Sequence, residues 1–338
     1  MIYYRPIAMQ DAAHAKGALP LAGGWCWFSM AERIDRGGKR ALIAAADIPA
    51  DVLTRLTRQR APLAGLSFDS PRLMGILNTT PDSFSDGGRF SATGAAVAHG
   101  RNLLAEGADI LDIGGESTRP GAADVPEPEE IGRTAPVIAA LRAAGETAPL
   151  SIDTRKAAVA RAALGQGASL VNDVAALSFD PELAAVIAAA RVPVCLMHSQ
   201  GTPKTMQQDP RYDDVLLDVY DALEAKIALA GAAGIARDQI MIDPGIGFGK
   251  TLAHNLALLR GLSLFHGLGC PVLLGVSRKR MIGTVSGEAI AENRMPGSVA
   301  VALAAVAQGV QVLRVHDVAA TRQALALWQA VTIGRETT

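Results

Sequence analysis

Residues 150–174 read LSIDTRKAAVARAALGQGASLVNDV, and this stretch contains the unit from which the fold is built. LSID is an apolar run of strand length that ends on Asp153, and SLVNDV is a second such run, holding Asn172 and Asp173. The residues between them are rich in alanine with charges at helical spacing, and Gly167 can supply the left-handed residue that ends a helix. The stretch therefore predicts a strand, a helix and a second strand parallel to the first.

The same unit recurs along the chain. Eight apolar runs bounded by turn residues are candidate strands, at 73–77, 109–113, 150–153, 169–174, 192–197, 240–243, 271–276 and 310–315. Most are apolar on both faces, which is typical of strands in a buried parallel sheet. Several of the helical stretches between them end on a glycine, at Gly107, Gly167, Gly234 and Gly309. Eight strand–helix units over roughly 270 residues predict an α/β fold, a (β/α)8 TIM barrel, with a doubly wound open sheet as the alternative.

The positions of polar residues distinguish the two architectures. Nearly every candidate strand ends on polar side chains, whereas an open sheet would use fewer strands for its chemistry. In strand order these are Asn78, Glu116 to Arg119, Asp153, Asn172 with Asp173, His198, Asp243, Ser277 to Lys279, and Arg314 with His316. Because the carboxyl ends of barrel strands surround one opening, we expect a single active site there.

Residues 1–66 do not join this alternation. We interpret them as a small N-terminal extension of unknown role, followed by the barrel at residues 67–335. The extension holds Trp25 and Trp27, which we expect to pack against the barrel rather than to bind a ligand, and a short helix is expected around Ala50 to Arg60.

The composition is that of an ordinary globular protein. The chain has 338 residues, 49% of them hydrophobic, with 32 Lys and Arg against 33 Asp and Glu. Balanced charge without long runs of one sign argues against a nucleic-acid or anionic-membrane surface, and no apolar stretch is long enough to cross a bilayer. Cys26, Cys195 and Cys270 show no CxxC spacing and the N-terminus lacks a secretory pattern, so we expect a cytoplasmic protein.

Two long polar segments follow the first two strands, NTTPDSFSDGG (78–88) and GGESTRPG (114–121). Six further motifs accompany the other strand ends: SIDTRK (151–156), LVNDV (170–174), LMHSQGTPKTMQ (196–207), IDPGIGFGK (242–250), GVSRKRMIG (275–283) and RVHDV (314–318). With these motifs in this order, the chain from about Ser67 to Leu327 closely resembles the dihydropteroate synthases.

The resemblance implies a barrel enzyme of folate synthesis. Such an enzyme joins the methylene of 6-hydroxymethyl-7,8-dihydropterin pyrophosphate to the amine of p-aminobenzoate and releases pyrophosphate. A pterin ring presents a row of donors and acceptors on a flat body, which suits carboxylates, amides and a cation in an apolar slot. By resemblance, the pterin site comprises Asp153, Asn172, Met197, Asp243, Phe248, Gly275 and Lys279.

The departing pyrophosphate needs its charge neutralised. By resemblance, Arg314 and His316 bind the diphosphate, and Asn78 binds it and also provides an oxygen ligand to Mg²⁺, the expected cofactor. An amide and phosphate oxygens suit Mg²⁺, because this ion keeps several of its own waters.

The resemblance places p-aminobenzoate beside the two long loops and the seventh strand. The residues implied are Phe84, Thr118, Arg119, Pro120, Ser277 and Arg280. Relatives often carry serine where Arg280 stands, so the carboxylate is expected on Ser277 and helix N–H groups, or on Arg280 itself. Asp86, Arg119 and Lys279 are the expected catalytic residues, with Asp86 stabilising a carbocation and Arg119 holding the loops closed. Sulfonamide sensitivity, small-molecule partners and a homodimer complete the expectations from the resemblance.

Two alternative functions stay open at this point. A pterin-binding methyltransferase domain would share Asn172 and Asp243 but would not need the diphosphate clamp, and a catalytically silent module would use the extension as its partner surface. Some residues also have structural interpretations. His198 is equally consistent with a packing role and with a role in the active site, and Cys195 is expected to be a small apolar residue of the barrel interior. The segment GIGFGKT (245–251) does not match a phosphate loop, since Pro244 stands where the spacing requires glycine.

Overall fold

The N-terminal extension is built from two small antiparallel sheets. The computed structural model describes residues 1–11, 13–79, 89–117, 122, 124–201 and 205–334. The strands of the extension are β1 (Ile2–Pro6), β2 (Leu19–Pro20), β3 (Trp27–Phe28), β4 (Met30–Asp35) and β5 (Arg40–Ala44). One sheet has the order β1-β4-β5 and the other pairs β2 with β3. Helix α1 spans Ala50–Thr57, which confirms the helix expected there.

Eight parallel strands follow and close into a barrel. They are β6 (Arg72–Asn78), β7 (Ile110–Gly114), β8 (Leu150–Asp153), β9 (Leu170–Asp173), β10 (Val194–Met197), β11 (Ile240–Asp243), β12 (Leu273–Gly275) and β13 (Val312–Val315). Their order is β11-β10-β9-β8-β7-β6-β13-β12, and an isolated parallel bridge between Ile242 and Val272 joins the two ends. The closed ring confirms the predicted barrel over the open sheet.

Helices connect the barrel strands. They are α2 (Arg89–Ala105), α3 (Glu127–Ala143), α4 (Ala157–Gly165), α5 (Leu183–Ala190), α6 (Val215–Ala232), α7 (Leu252–Arg260), α8 (Arg280–Ser286), α9 (Met295–Val306) and α10 (Val318–Ile333). The four glycines expected at helix ends all have positive φ, between 83° and 102°. Two helices, α8 and α9, follow β12 where the alternation predicted one, because Gly287 (φ 78°) ends α8 after two turns. Within the described ranges no helix is both long and apolar enough to span a bilayer.

The extension shares its core with the outer side of the barrel. Tyr3, Leu21, Trp25 and Phe28 belong to the same buried apolar cluster as the residues between the barrel sheet and its helices. The indole N–H of Trp25 donates to Val306 O in α9 at 2.8 Å, which confirms that Trp25 packs against the barrel. Trp27 instead bonds within the extension, where its indole N–H donates to Asp11 O at 2.8 Å.

The connection between extension and barrel closes the barrel at its amino end. Leu63 and Phe68 lie in one buried cluster with the side chains at the floor of the barrel, including Met74, Ile110 and Met241. The apolar cluster at the floor of the barrel therefore includes residues from both sides of position 66.

Candidate active site

Strand register brings the polar side chains together at the carboxyl end of the barrel. Side chains alternate across a strand, so residues two apart share a face. The parallel register pairs Asp112 with Ser151, Asp153 with Asn172, Met197 with Asp243, and Gly275 with Arg314. Residues two positions before several of these, such as Ile110, Leu170 and Met241, form the apolar floor. The barrel interior therefore has an apolar lower part and a polar upper part.

Arg314 lies at the centre of this polar layer. Its Nε donates to Asp112 Oδ2 at 2.6 Å and its Nη2 donates to Asp153 Oδ2 at 2.8 Å. Strand β13 adjoins β12 and β6, so Arg314 reaches Asp153 in β8 across the barrel interior. Burial raises the pKa of Asp153, and the nearby Asp112 carboxylate adds to the rise, while Arg314 opposes it. Arg314, proposed from the sequence for the diphosphate, thus already lies between two carboxylates.

Asp112 is a site residue that the sequence analysis missed. It is fully buried, and its Oδ2 also accepts a hydrogen bond from Asn172 Nδ2 at 2.9 Å. Its Oδ1 has no hydrogen-bond partner among the residues that the structure describes. The sequence does contain a sign of this role, because Asp112 is a carboxylate inside the apolar run DILDI. A charge in a buried strand requires a partner.

Asp243 and Lys279 form the opposite side of the polar layer. Asp243 Oδ1 accepts from the N–H of Gly245 at 2.7 Å, and burial raises the pKa of Asp243 against the lowering effect of Lys279. The Lys279 ammonium donates to Ile246 O and lies 4.5 Å from the ring centroid of Phe248. Burial lowers the pKa of Lys279 to about 8. These contacts unite three of the residues expected at the pterin.

Two of the remaining pterin candidates lie in the same layer. Met197 is buried at the end of β10, beside Asp243 in the register. A Cβ added to Gly275 would lie 3.8 Å from both Asp243 Oδ2 and Arg314 Cβ, so this glycine separates the carboxylate from the arginine. Gly275 places no side chain of its own between them.

Lys250 and His198 connect the loops after β10 and β11. The buried Lys250 ammonium lies 2.9 Å from His198 Nδ1 and donates to Phe248 O at 3.0 Å. Burial lowers the pKa of Lys250 to about 7 and that of His198 to about 3, so His198 stays neutral. The structure therefore gives His198 a packing role between the two loops.

The glycines of the GIGFGKT segment fit this loop contact. Gly245 (φ 69°) could not carry a Cβ, which would lie 1.8 Å from His198 O, and a Cβ at Gly249 (φ 62°) would lie 2.6 Å from Gln200 O. Sequence spacing alone does not indicate this contact, because it joins segments that are distant in the chain. Close packing of the two loops thus explains both residues.

Ser277 and His316 meet at the ends of β12 and β13. Ser277 Oγ accepts from the His316 N–H at 3.1 Å and lies 3.0 Å from His316 Nδ1. Arg280, the first residue of α8, is exposed, and Asn78 is half-buried at the end of β6. The structure therefore joins a residue expected at the diphosphate with one expected at p-aminobenzoate.

A buried ion-pair cluster lies beside the end of β8. Lys156 Nζ donates to Glu116 Oε1 at 3.0 Å and to Glu130 Oε2 at 2.6 Å, and Arg155 Nε donates to Glu116 Oε2 at 3.1 Å. Thr154 completes the cluster with a 2.7 Å bond to Glu130 Oε1. The SIDTRK motif is therefore divided between the site, at Asp153, and this structural network.

Five expected residues lie outside the described residues, namely Phe84, Asp86, Thr118, Arg119 and Pro120. Within the ranges that the structure covers, no three His, Cys, Asp or Glu side chains are grouped to hold a metal ion. Cys195 lies in the floor of the barrel as expected.

The polar layer suits a flat heterocycle with donors and acceptors along its edge. Asp112, Asp153 and Asp243 provide acceptors, Asn172 provides both a donor and an acceptor, and Lys279 provides a cation within a largely apolar barrel. Residues 74–316 match the family described as "Pterin binding enzyme". The chain therefore belongs to the pterin binding enzyme family.

Individual relatives narrow the assignment. A dihydropteroate synthase of Neisseria meningitidis serogroup B is 51% identical over 273 residues, which cover 79% of this chain and 95% of that protein. The structure of Xanthomonas albilineans dihydropteroate synthase with 4-aminobenzoic acid is 52% identical, with a TM-score of 0.75 and coverage of 80% of this chain and 97% of that one. The Yersinia pestis dihydropteroate synthase in a sulfonamide drug complex is 45% identical, with a TM-score of 0.75 and coverage of 81% and 99%.

These similarities group the chain with the dihydropteroate synthases, and its activity is that of a transferase of folate biosynthesis. They favour the synthase over the methyltransferase and the silent module.

Proposed function

We propose that the polar layer at the carboxyl end of the barrel condenses 6-hydroxymethyl-7,8-dihydropterin pyrophosphate with p-aminobenzoate. The observation that carries the assignment of the site is the convergence of Asp112, Asp153, Asn172 and Arg314 in one buried network, with Asp243 and Lys279 in the same layer. A buried set of carboxylates, an amide and cations recognises a polar ring edge strongly, because a ligand without matching groups would leave them unpaired.

The pterin ring is proposed to lie between Asp243 and Arg314, in the space beside Gly275. Asp243 accepts the ring's amino and amide protons, and Asn172 and Asp153 bond the remaining ring nitrogens. Lys279 donates to the ring carbonyl and a ring nitrogen, for which it must leave Ile246 O or share its protons. Met197 and Phe248 form the apolar walls.

The diphosphate is proposed to bind near Asn78, Arg314 and His316. Asn78 and phosphate oxygens fit Mg²⁺, since this ion takes oxygen ligands, keeps several waters and does not need a cage of carboxylates. Bound there, Mg²⁺ would spread the negative charge of the diphosphate as it leaves. Arg314 remains charged for the same purpose, because Asp112 and Asp153 raise its pKa.

The reaction exchanges one bond for another at the methylene carbon. The carbon–oxygen bond to pyrophosphate breaks, with its electron pair leaving on oxygen, and the amine of p-aminobenzoate forms the new carbon–nitrogen bond and loses a proton. The electron-rich ring allows bond breaking to run ahead of attack, so that positive charge develops on the carbon. Asp86 is the proposed carboxylate that stabilises this charge, and Arg119 is proposed to hold the surrounding loops together.

p-Aminobenzoate is proposed to bind at Ser277 and Arg280, together with Phe84, Thr118, Arg119 and Pro120. The Xanthomonas albilineans synthase that resembles this chain was solved with 4-aminobenzoic acid, which supports this second substrate. We propose ordered binding, in which p-aminobenzoate binds well only once pyrophosphate, Mg²⁺ and a pterin are present. The Yersinia pestis synthase that resembles this chain was solved in a sulfonamide drug complex, which supports sulfonamide binding by this protein. We propose that sulfonamides bind in the p-aminobenzoate site.

A homodimer in a reducing cytoplasm is the proposed state of the protein. The three cysteines are free and buried, which suits a reducing compartment. Leu327 and Val331 are exposed one turn apart on α10, at 62% and 81%, and offer an apolar surface for a second copy. Light scattering tests the dimer, and a monomer at micromolar concentration would refute it.

Asp243→Asn tests the proposed site. The amide must turn a donor toward one of the ring's protons, a mismatch on the order of 3 kcal/mol, so calorimetry should show pterin binding weakened at least 100-fold. Asp238→Asn is the matched control, because Asp238 is exposed just before the opposite end of the same strand. Normal pterin affinity in Asp243→Asn would refute the assigned role, and pyrophosphate release that does not depend on p-aminobenzoate would refute the condensation.

A further inference from the structure

The turn between β12 and α8 contains a non-glycine residue in the left-handed region. Arg278 has φ 58°, and it separates Ser277 from Lys279. This conformation brings the Cβ of an L-residue close to its own backbone, which costs strain energy that contacts of the residue can offset. Left-handed arginine at this point therefore requires an explanation in the contacts of its side chain and backbone.

Three residues from two segments, the loop after β13 and the start of α9, hold Arg278. Its guanidinium forms a two-point ion pair with Asp317, in which Nε donates to Oδ2 at 3.0 Å and Nη2 donates to Oδ1. Its backbone N–H donates to Ser298 Oγ in α9 at 2.9 Å, and its carbonyl accepts from Arg294 Nη1 at 3.1 Å. The backbone N–H, the backbone carbonyl and two of the three guanidinium nitrogens of Arg278 are thus used in fixing the turn.

The turn presents two proposed substrate contacts. On one side Ser277 is bonded to His316, and on the other Lys279 donates to Ile246 O beside Phe248. Asp317 directly follows His316, so the loops after β12 and β13 are joined by two neighbouring contacts, Ser277 to His316 and Arg278 to Asp317. Changing φ at Arg278 would redirect both flanking side chains, because the rotation lies between them.

We propose that Arg278 and Asp317 are positioning residues, whose ion pair holds the left-handed turn that directs Ser277 and Lys279 into the barrel mouth. The inference rests on the proposed roles of Ser277 and Lys279. The pair is partly exposed, with side-chain exposures of 30% and 18%, so its contribution to overall stability is modest. Loss of this ion pair should therefore reduce substrate binding and turnover more than it reduces the stability of the fold.

A double-mutant cycle with glycine tests the proposal. Glycine adopts positive φ without strain, so Arg278→Gly needs no ion pair to keep the turn, whereas Arg278→Ala keeps the strain and lacks the pair. We expect Asp317→Asn and Arg278→Ala each to lower kcat/KM about tenfold or more, with raised KM for both substrates. Arg278→Gly should stay within about threefold of the parent enzyme, and adding Asp317→Asn to it should cost no more than about twofold.

The control is Arg191→Gly. Arg191 is also left-handed, with φ 55°, but it is exposed at the end of α5, so this variant should leave kinetics unchanged. Equal impairment of Arg278→Gly and Arg278→Ala would overturn the proposal, as would an equal effect of Asp317→Asn in both backgrounds. A lower Tm with unchanged kinetics in Asp317→Asn would also overturn it, since that result means a structural role only.

The proposed role of Lys279 in pterin binding is tested by a separate experiment. If Lys279→Gln binds pterin normally, the substrate assignment is wrong whatever the cycle shows. The cycle itself compares activities between backgrounds, so it still reports whether the ion pair acts through the turn.

Discussion

Asp112→Asn removes the charge from the carboxylate at the centre of the barrel with little change in shape. In the parent protein one oxygen of Asp112 accepts from both Arg314 and Asn172, while the other has no partner among the described residues. An asparagine that keeps its oxygen facing these two donors places its NH₂ group at the position of Oδ1, which has no hydrogen-bond partner among the described residues of the parent protein. The opposite orientation turns the NH₂ group toward two donors and leaves them unsatisfied, and in both orientations Arg314 loses the charge of its partner.

The contacts give the size of the effect. Breaking a buried ion pair costs about 3–5 kcal/mol. Because the Arg314 side chain is 21% exposed and keeps Asp153 as a partner, we expect the low end, about 3 kcal/mol of unfolding free energy. Asp153→Asn removes one bond at a side chain that is 11% exposed, and should cost about half as much. The order of the two variants is thus a direct consequence of the geometry.

Urea unfolding at pH 7.5 measures both variants, with the m-value checked for constancy. Calorimetry should show weakened pterin binding for Asp112→Asn. The matched control is Asp109→Asn at the amino end of the same strand, where the carboxylate bonds Arg322 and the Leu73 N–H. This control should lose stability without losing pterin affinity. A cost below about 1 kcal/mol for Asp112→Asn, or a larger cost for Asp153→Asn, would refute the reasoning.

Three further predictions concern the scaffold. Gly245→Ala should disrupt the loop after β11 and lower both stability and pterin affinity, because its Cβ would lie 1.8 Å from His198 O; unchanged unfolding and binding would contradict the loop contact. His266 is fully buried, and burial lowers its pKa to about 3, so the unfolded chain gains a proton near pH 6.5 that the folded chain does not. Stability is therefore lost as pH falls below 6.5, by about 2 kcal/mol from this residue at pH 5, and His266→Gln should flatten that part of a pH series of urea midpoints. Removal of residues 1–60 should lower Tm or solubility, because the extension packs on the outside of the barrel, while pyrophosphate release stays detectable. A truncated protein that folds but is inactive would instead show that the extension shapes the active site.

The barrel could be predicted because its strands are buried on both faces. Each appears in the sequence as an apolar run ended by a turn, and the eight predicted strands lie within about two residues of those observed. Polar residues at the carboxyl ends then indicated the site, since the barrel brings these ends together. The sheet β1-β4-β5 of the extension was not predicted, because β1 pairs with a strand far along the chain and the β4–β5 hairpin has a largely exposed second strand.

Contacts between distant loops set the limit on predicting the site. Asp112 was not predicted because it lies within a strand, whereas the candidate residues were chosen at strand ends. The contact of Gly245 with His198 and the ion pair of Arg278 with Asp317 depend on how neighbouring barrel strands align their loops. Local spacing indicates which residues lie at the opening, but the register between strands decides which of them touch.

The bridge between Ile242 and Val272 that closes the ring has a consequence for breathing motions. The other neighbouring barrel strands share ladders of three or more paired residues, whereas β11 and β12 meet at this isolated bridge. Short ladders open at lower free energy than long ones, so this seam is where the ring should part first in native-state hydrogen exchange. Asp243 ends one side of the seam and Gly275 ends the other. A flat ligand bound between Asp243 and Gly275 would hold the two strands together. It should therefore slow amide hydrogen exchange along β12, including at residues that it does not contact.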